Sequence, residues 1–110
     1  MDTNSAATIF ASLSQPTRLD VFRMLIEAGP DGMSSGDIGD RMGIKPNTMS
    51  VNLKQLLHSG LVRNERRGRQ VYYFADMAAV GSLLSYLMQD CCGGRPELCS
   101  PVINELACGC

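Results

Sequence analysis

The chain has 110 residues, 45% of them hydrophobic, and a formal net charge of −1. That length suits one small domain with a core that is marginal by itself. No stretch approaches the ~20 apolar residues of a membrane span. The start Met1-Asp2-Thr3-Asn4-Ser5 lacks the basic opening of a secretory signal. A folded cytoplasmic protein with no membrane partner is therefore expected.

In chain order, Asn4–Leu13 places Ala6, Ile9, Phe10 and Leu13 at i, i+3, i+4, i+7, with Asp2, Thr3 and Asn4 as available caps. The spacing predicts a short amphipathic helix. Ser14-Gln15-Pro16 restarts the chain with a cap and an early proline. Leu19, Phe22 and Ile26 form the next stripe, widened by Val21 and Leu25, which predicts a largely buried second helix. Arg18 and Arg23 point away from that stripe, and a surface salt bridge is expected of Arg18 ahead of a phosphate contact. Gly29-Pro30-Asp31-Gly32 reads as a turn.

Ser34-Ser35-Gly36-Asp37 has the spacing of a capping box, Ile38 and Met42 carry a short helix, and Gly43 ends it. Pro46 then suits the first turn of a helix over Pro46–Ser59. Met49, Leu53, Leu56 and Leu57 give it one apolar face. The other face is short and polar, with Asn47, Ser50 and Lys54 flanked by Val51 and Asn52. Such side chains can reach base edges in a major groove while the apolar stripe holds the helix on its support. Helix, glycine turn, helix is the helix-turn-helix pattern. Gly60 stops the second helix, and Leu61–Arg66 and Gln70–Phe74 predict two strands around Arg67-Gly68-Arg69, a hairpin with a basic turn.

The charge is unevenly spread. Residues 41–70 hold seven basic side chains against Glu65 alone, a surplus of six, while the remainder carries three basic and ten acidic residues. A local basic patch on an acidic body is what phosphate contact requires, and its place on the hairpin favours that over a merely solvated surface.

The run Gly43-Ile44-Lys45-Pro46-Asn47-Thr48-Met49-Ser50-Val51-Asn52-Leu53-Lys54-Gln55-Leu56, followed by Gly60-Leu61-Val62 and Gly68-Arg69-Gln70-Val71-Tyr72-Tyr73, resembles the ArsR/SmtB family of bacterial metal-responsive repressors. The likeness covers roughly residues 6 to 90. It implies an α+β, mainly α, winged helix-turn-helix fold with about five helices and a two-stranded wing. It further implies a homodimer joined through the first and last helices, because reading two half-sites needs two recognition helices. The family's Cys-x-Cys-Asp metal motif is replaced here by Ser34-Ser35-Gly36-Asp37. The Asp/His site of other relatives is excluded too, since His58 is the single histidine. His58 is expected to be incidental.

Asp76 is positioned to cap a last helix reaching about Gln89, with Met77, Val80, Leu84, Leu87 and Met88 on one face. A helix this apolar in a small domain needs a partner. All five cysteines follow residue 90. Cys91, Cys92 and Cys99 lie within nine residues, separated by Gly93-Gly94 and Pro96. Adjacent cysteines suit a tetrahedral zinc site poorly. Vicinal thiolates with a third looped back suit a soft three-coordinate ion, and the resemblance points to the arsenite- or antimonite-sensing branch. For Cys108 and Cys110, function and an inert tail stand level.

The expected organisation is a DNA-binding and dimerisation domain over residues 1–90 and a cysteine-rich tail over 91–110. The expected function is a repressor that leaves a palindromic double-stranded operator when As(III) or Sb(III) binds Cys91, Cys92 and Cys99. No organic cofactor and no enzymatic activity are expected. Lys45, Asn47, Thr48, Ser50, Val51 and Asn52 are the expected groove-facing residues, and Arg66, Arg67 and Arg69 the wing contacts. A thiol redox or persulfide sensor using the same cysteines is the alternative, and an arsenic-binding thiol protein or metallochaperone a more remote one.

Overall fold

The computed structural model describes residues 1–89 and 95–108, without the side chains of residues 96, 107 and 108. Six α-helices and three short strands follow one another among these residues: α1 (Thr3–Leu13), α2 (Pro16–Ala28), β1 (Met33–Ser34), α3 (Ser35–Met42), α4 (Pro46–Ser59), β2 (Val62–Arg67), β3 (Gln70–Ala75), α5 (Met77–Leu87) and α6 (Ser100–Cys108). The winged helix-turn-helix expected from the sequence is present. No helix among the described residues is long and apolar enough to cross a membrane.

Caps set most boundaries. The Asp2 carboxylate accepts a hydrogen bond from the Ser5 N–H, and that bond holds its pKa below the ordinary value. Gln15 caps α2 by accepting from Arg18 N–H, and Ser34 Oγ accepts from Asp37 N–H to start α3. Asp76 does the same for α5 through Ala79 N–H. Gly43 ends α3 in the left-handed region, φ 66°, where a Cβ would be strained.

The core lies where α1, α2, α3, α4 and the sheet meet. Val21, Leu25, Ile38, Met49, Leu53, Leu56 and Leu61 are each at most 1% exposed. A fully buried side chain of this size contributes about 1.5–3 kcal/mol by removal from water, so these seven fix how α4 sits on its support. The stripe expected of α2 is rotated. Val21, Phe22 and Leu25 are its buried face, whereas Leu19 and Ile26 are exposed.

The sheet holds one strand more than the hairpin expected. Its order is β1-β3-β2, with Met33 opposite Tyr73 and Ser34 opposite Tyr72. Gly32 makes this possible. Its φ is +64°, and a Cβ there would lie 2.5 Å from the Phe74 ring and 2.7 Å from the Tyr73 carbonyl oxygen. Two-residue strands carry too little pattern to be read from sequence, so β1 went unseen.

On α5, Leu83 packs on the core while Met77, Leu84 and Leu87 stay exposed. Thr3 and Tyr86 hydroxyls meet at 2.6 Å, tying α5 to the start of α1. The segment expected as a cysteine-rich tail contains a helix, α6, on which Val102, Ile103 and Leu106 are exposed.

Candidate nucleic-acid interface and the thiol segment

Helix α4 begins at Pro46 after Lys45, whose extended backbone (φ −65°, ψ 148°) forms the cap without a side-chain bond. Lys45, Asn47, Thr48, Ser50, Val51 and Lys54 are exposed, and Val51 retains 60% of its surface. Met49, Leu53 and Leu56 press the opposite face into the core. The first two turns of α4 therefore offer short polar groups, one small apolar group and two cations to a partner.

Asn52 does not join them. It is 7% exposed; its Nδ2–H donates to the Thr48 carbonyl at 3.2 Å and its Oδ1 accepts from Arg18 at 3.3 Å. The expectation that Asn52 faces a groove is corrected: the residue turns inward beside Leu56. The signal was present, since Asn52 follows Met49 by three and precedes Leu56 by four, the flank of the apolar stripe. Arg18 is corrected with it. Its Nε–H donates to the Ser12 carbonyl at 2.7 Å, and it forms no salt bridge among the described residues.

The wing pairs Arg63 with Phe74, Glu65 with Tyr72 and Arg67 with Gln70. Alternation along a strand puts Arg63, Glu65 and Arg67 on one face and Asn64 and Arg66 on the other. The first face is a ladder of cations on rings. Arg63 stands 4.5 Å above Phe74, and Arg67 lies 4.8 Å from Tyr72 and 5.1 Å from Phe74. Arg67 is also paired with Glu65 at 3.4 Å. Among the described residues Arg66 donates to the Gly68 carbonyl, at 3.3 Å. Arg69 follows Gly68 at the exposed tip. Of the three arginines grouped by sequence, Arg67 thus lies on its own sheet, while Arg66 and Arg69 are exposed with no ring or carboxylate partner among the described residues.

Cys91, Cys92 and Cys110 lie outside the described residues, and so does the Cys108 side chain. Cys99 is 8% exposed and disulfide-bonded. Among the described residues no group of three or more His, Cys, Asp or Glu is placed to hold a metal ion.

Residues 13–65 match the family described as "Helix-turn-helix domain". The chain is 32% identical to the uncharacterized HTH-type transcriptional regulator YbzH of Bacillus subtilis (strain 168), over 72% of this chain and 91% of that one. It is 30% identical to the biofilm growth-associated repressor of Xylella fastidiosa (strain 9a5c), over 86% and 80%. Among solved structures, an ArsR-like transcriptional regulator from Rhodococcus sp. RHA1 superposes with a TM-score of 0.70 at 24% identity, over 94% and 93%. The homodimeric winged helix-turn-helix DNA-binding domain Mb0332 of Mycobacterium bovis superposes with 0.63 at 24%, over 79% and 81%. The chain belongs to the helix-turn-helix transcriptional regulators, and its fold is that of the ArsR-like regulator.

Proposed function

We propose that the protein is a homodimeric repressor that binds a palindromic operator and releases it when As(III) or Sb(III) is captured by Cys91, Cys92 and Cys99. The observation that carries the DNA half is the first turns of α4, where Asn47, Thr48, Ser50 and Val51 stand free of the core between Lys45 and Lys54. Side chains of this length read base edges, and the cations beside them neutralise phosphate. The dimer half rests on α5, whose Met77, Leu84 and Leu87 would otherwise remain in water. A second copy places two α4 helices for two half-sites.

The inducer half rests on donor chemistry. Three thiolates and no fourth ligand suit trivalent arsenic, which carries a lone pair at its apex, and soft ions select thiolate. Arsenic binding and operator binding are then linked reciprocally: whatever weakens DNA on the metalloid-bound dimer weakens metalloid on the DNA-bound one. Because Cys99 is disulfide-bonded here, capture requires prior reduction. A dithiol reductant supplies two electrons and two protons, opens the S–S bond to two thiols and itself becomes a disulfide. Each thiol then displaces one hydroxide of As(OH)3, its proton leaving with that hydroxide as water, so three As–S bonds form as three As–O bonds break and no net proton is released.

That same disulfide supports a second reading, in which the cysteines themselves switch between dithiol and disulfide and no metalloid takes part. X-ray absorption on reduced protein loaded with arsenite tests the two. Three sulfurs per arsenic support the metalloid sensor. Two sulfurs, together with operator release by oxidant alone, would favour the redox switch.

A further inference from the structure

Among the described residues three polar ones are buried: Ser12, Ser34 and Asn52. Ser34 is accounted for as the cap of α3. The Ser12 hydroxyl donates to the Ile9 carbonyl, while the Ser12 carbonyl and the Asn52 side chain both accept from Arg18, a half-buried cation that no carboxylate among the described residues neutralises. Its Nε–H donates to the Ser12 carbonyl at 2.7 Å, at the end of α1, and its Nη1 donates to Asn52 Oδ1 at 3.3 Å, in the middle of α4. Asn52 passes the connection on through Nδ2–H to the Thr48 carbonyl, in the exposed first turn that offers groups to DNA.

We propose that Arg18 is a positioning residue for operator reading: its guanidinium joins α1 to α4 and, through Asn52, sets the angle at which the first turn of α4 meets the groove. A planar fork with fixed N–H directions suits this task, because two bonds from one rigid group define an orientation and not only a distance. The apolar contacts of Met49, Leu53 and Leu56 hold α4 down but resist rotation about its axis only weakly, since they lie along one stripe. A polar bond on the flank of that stripe is what removes the remaining freedom. Arg18 also makes the position of α4 depend on the end of α1, the helix that carries Thr3 to Tyr86 of α5. The proposal rests on the DNA-binding reading above.

The test uses the full-length protein, a duplex that the wild type selects from a random pool, and a random duplex of equal length, titrated by fluorescence anisotropy over a range of salt. Arg18→Met is expected to lose about tenfold in affinity for the selected duplex, while affinity for random DNA and the salt slope stay as in the wild type, because neither depends on how α4 is turned. Asn52→Leu is expected to lose as much, and the double variant no more than either. Arg18→Lys should recover only part of the loss, since an ammonium lacks the fork. Should Arg18→Met fail to fold by circular dichroism, Arg18→Lys and Asn52→Leu carry the same cycle. Equal losses on both duplexes with a flatter salt slope would show that Arg18 touches phosphate and overturn the proposal. So would additive losses, or unchanged affinity in Arg18→Met. Random-DNA binding by the wild type keeps the readings apart: its absence would overturn the DNA-binding reading, whereas the proposal fails on the pattern among variants.

Discussion

Helix α4 and the wing carry similar cargo, yet the fold treats their side chains differently. Lys45, Asn47, Ser50, Val51 and Lys54 stand in water. On the wing, Arg67 is laid across Tyr72 and Phe74 and paired with Glu65, and Arg63 is stacked on Phe74. Freedom differs because a helix on a buried stripe leaves its far side bare, whereas a hairpin supplies cross-strand neighbours to each long side chain on the same face. On the proposed DNA-binding reading, α4 would offer the groups that read, and the wing, stiffened by these contacts, the exposed cations Arg66 and Arg69 that clamp.

The comparison breaks most completely if only one copy is present. Leu84→Asp puts a charge on the exposed apolar face of α5, and the account expects monomers that lose about 100-fold or more in operator affinity as the second half-site stops contributing. Sedimentation beside anisotropy checks this; a monomer that still binds the full palindrome tightly would refute the interface. Next is the support of the wing. Gly32→Ala forces a Cβ into Phe74 and the Tyr73 carbonyl at positive φ, and should cost about 2 kcal/mol or more in denaturant unfolding.

The reading role is sharpened by Asn47→Ala, expected to cost roughly 1–3 kcal/mol on the selected duplex and little on random DNA. An equal loss on both would remove Asn47 from the readers. The clamping role gives the smallest effect. Lys45, Lys54, Arg66 and Arg69 in two protomers should make log K fall with log salt at a slope near about −7. Arg69→Ala should flatten the slope by about two for the dimer, and Arg67→Ala by less, because Arg67 is already engaged within the sheet. The reverse order would overturn the division of the wing.

How legible these regions were follows from the range of their interactions. The boundaries of α4 rested on Pro46 and Gly60, local signals that the structure keeps. Its exposed face was legible in the same way, apart from Asn52, which is bonded to Arg18, 34 residues away in sequence. The hairpin was visible from Gly68 between two strand-like runs, but the fates of Arg66 and Arg67 depend on register, where one step moves a side chain to the other face. Strand β1 needed Tyr72 and Tyr73 as partners, and Met33-Ser34 alone gave no period to read. Leu19 and Ile26 misled because several apolar residues on α2 allow more than one stripe, and packing chose Val21, Phe22 and Leu25. The cysteines are grouped in the sequence, and Cys91 and Cys92 lie outside the described residues.

Release of the operator on capture of a trivalent metalloid by the tail thiols is decided by adding arsenite to the fully reduced dimer bound to its selected duplex, with and without Cys99→Ser. Complete release is expected of the wild type, and no release of Cys99→Ser although it binds the duplex as well as the wild type before arsenite is added. Release from both proteins alike, or from neither, would contradict the metalloid reading.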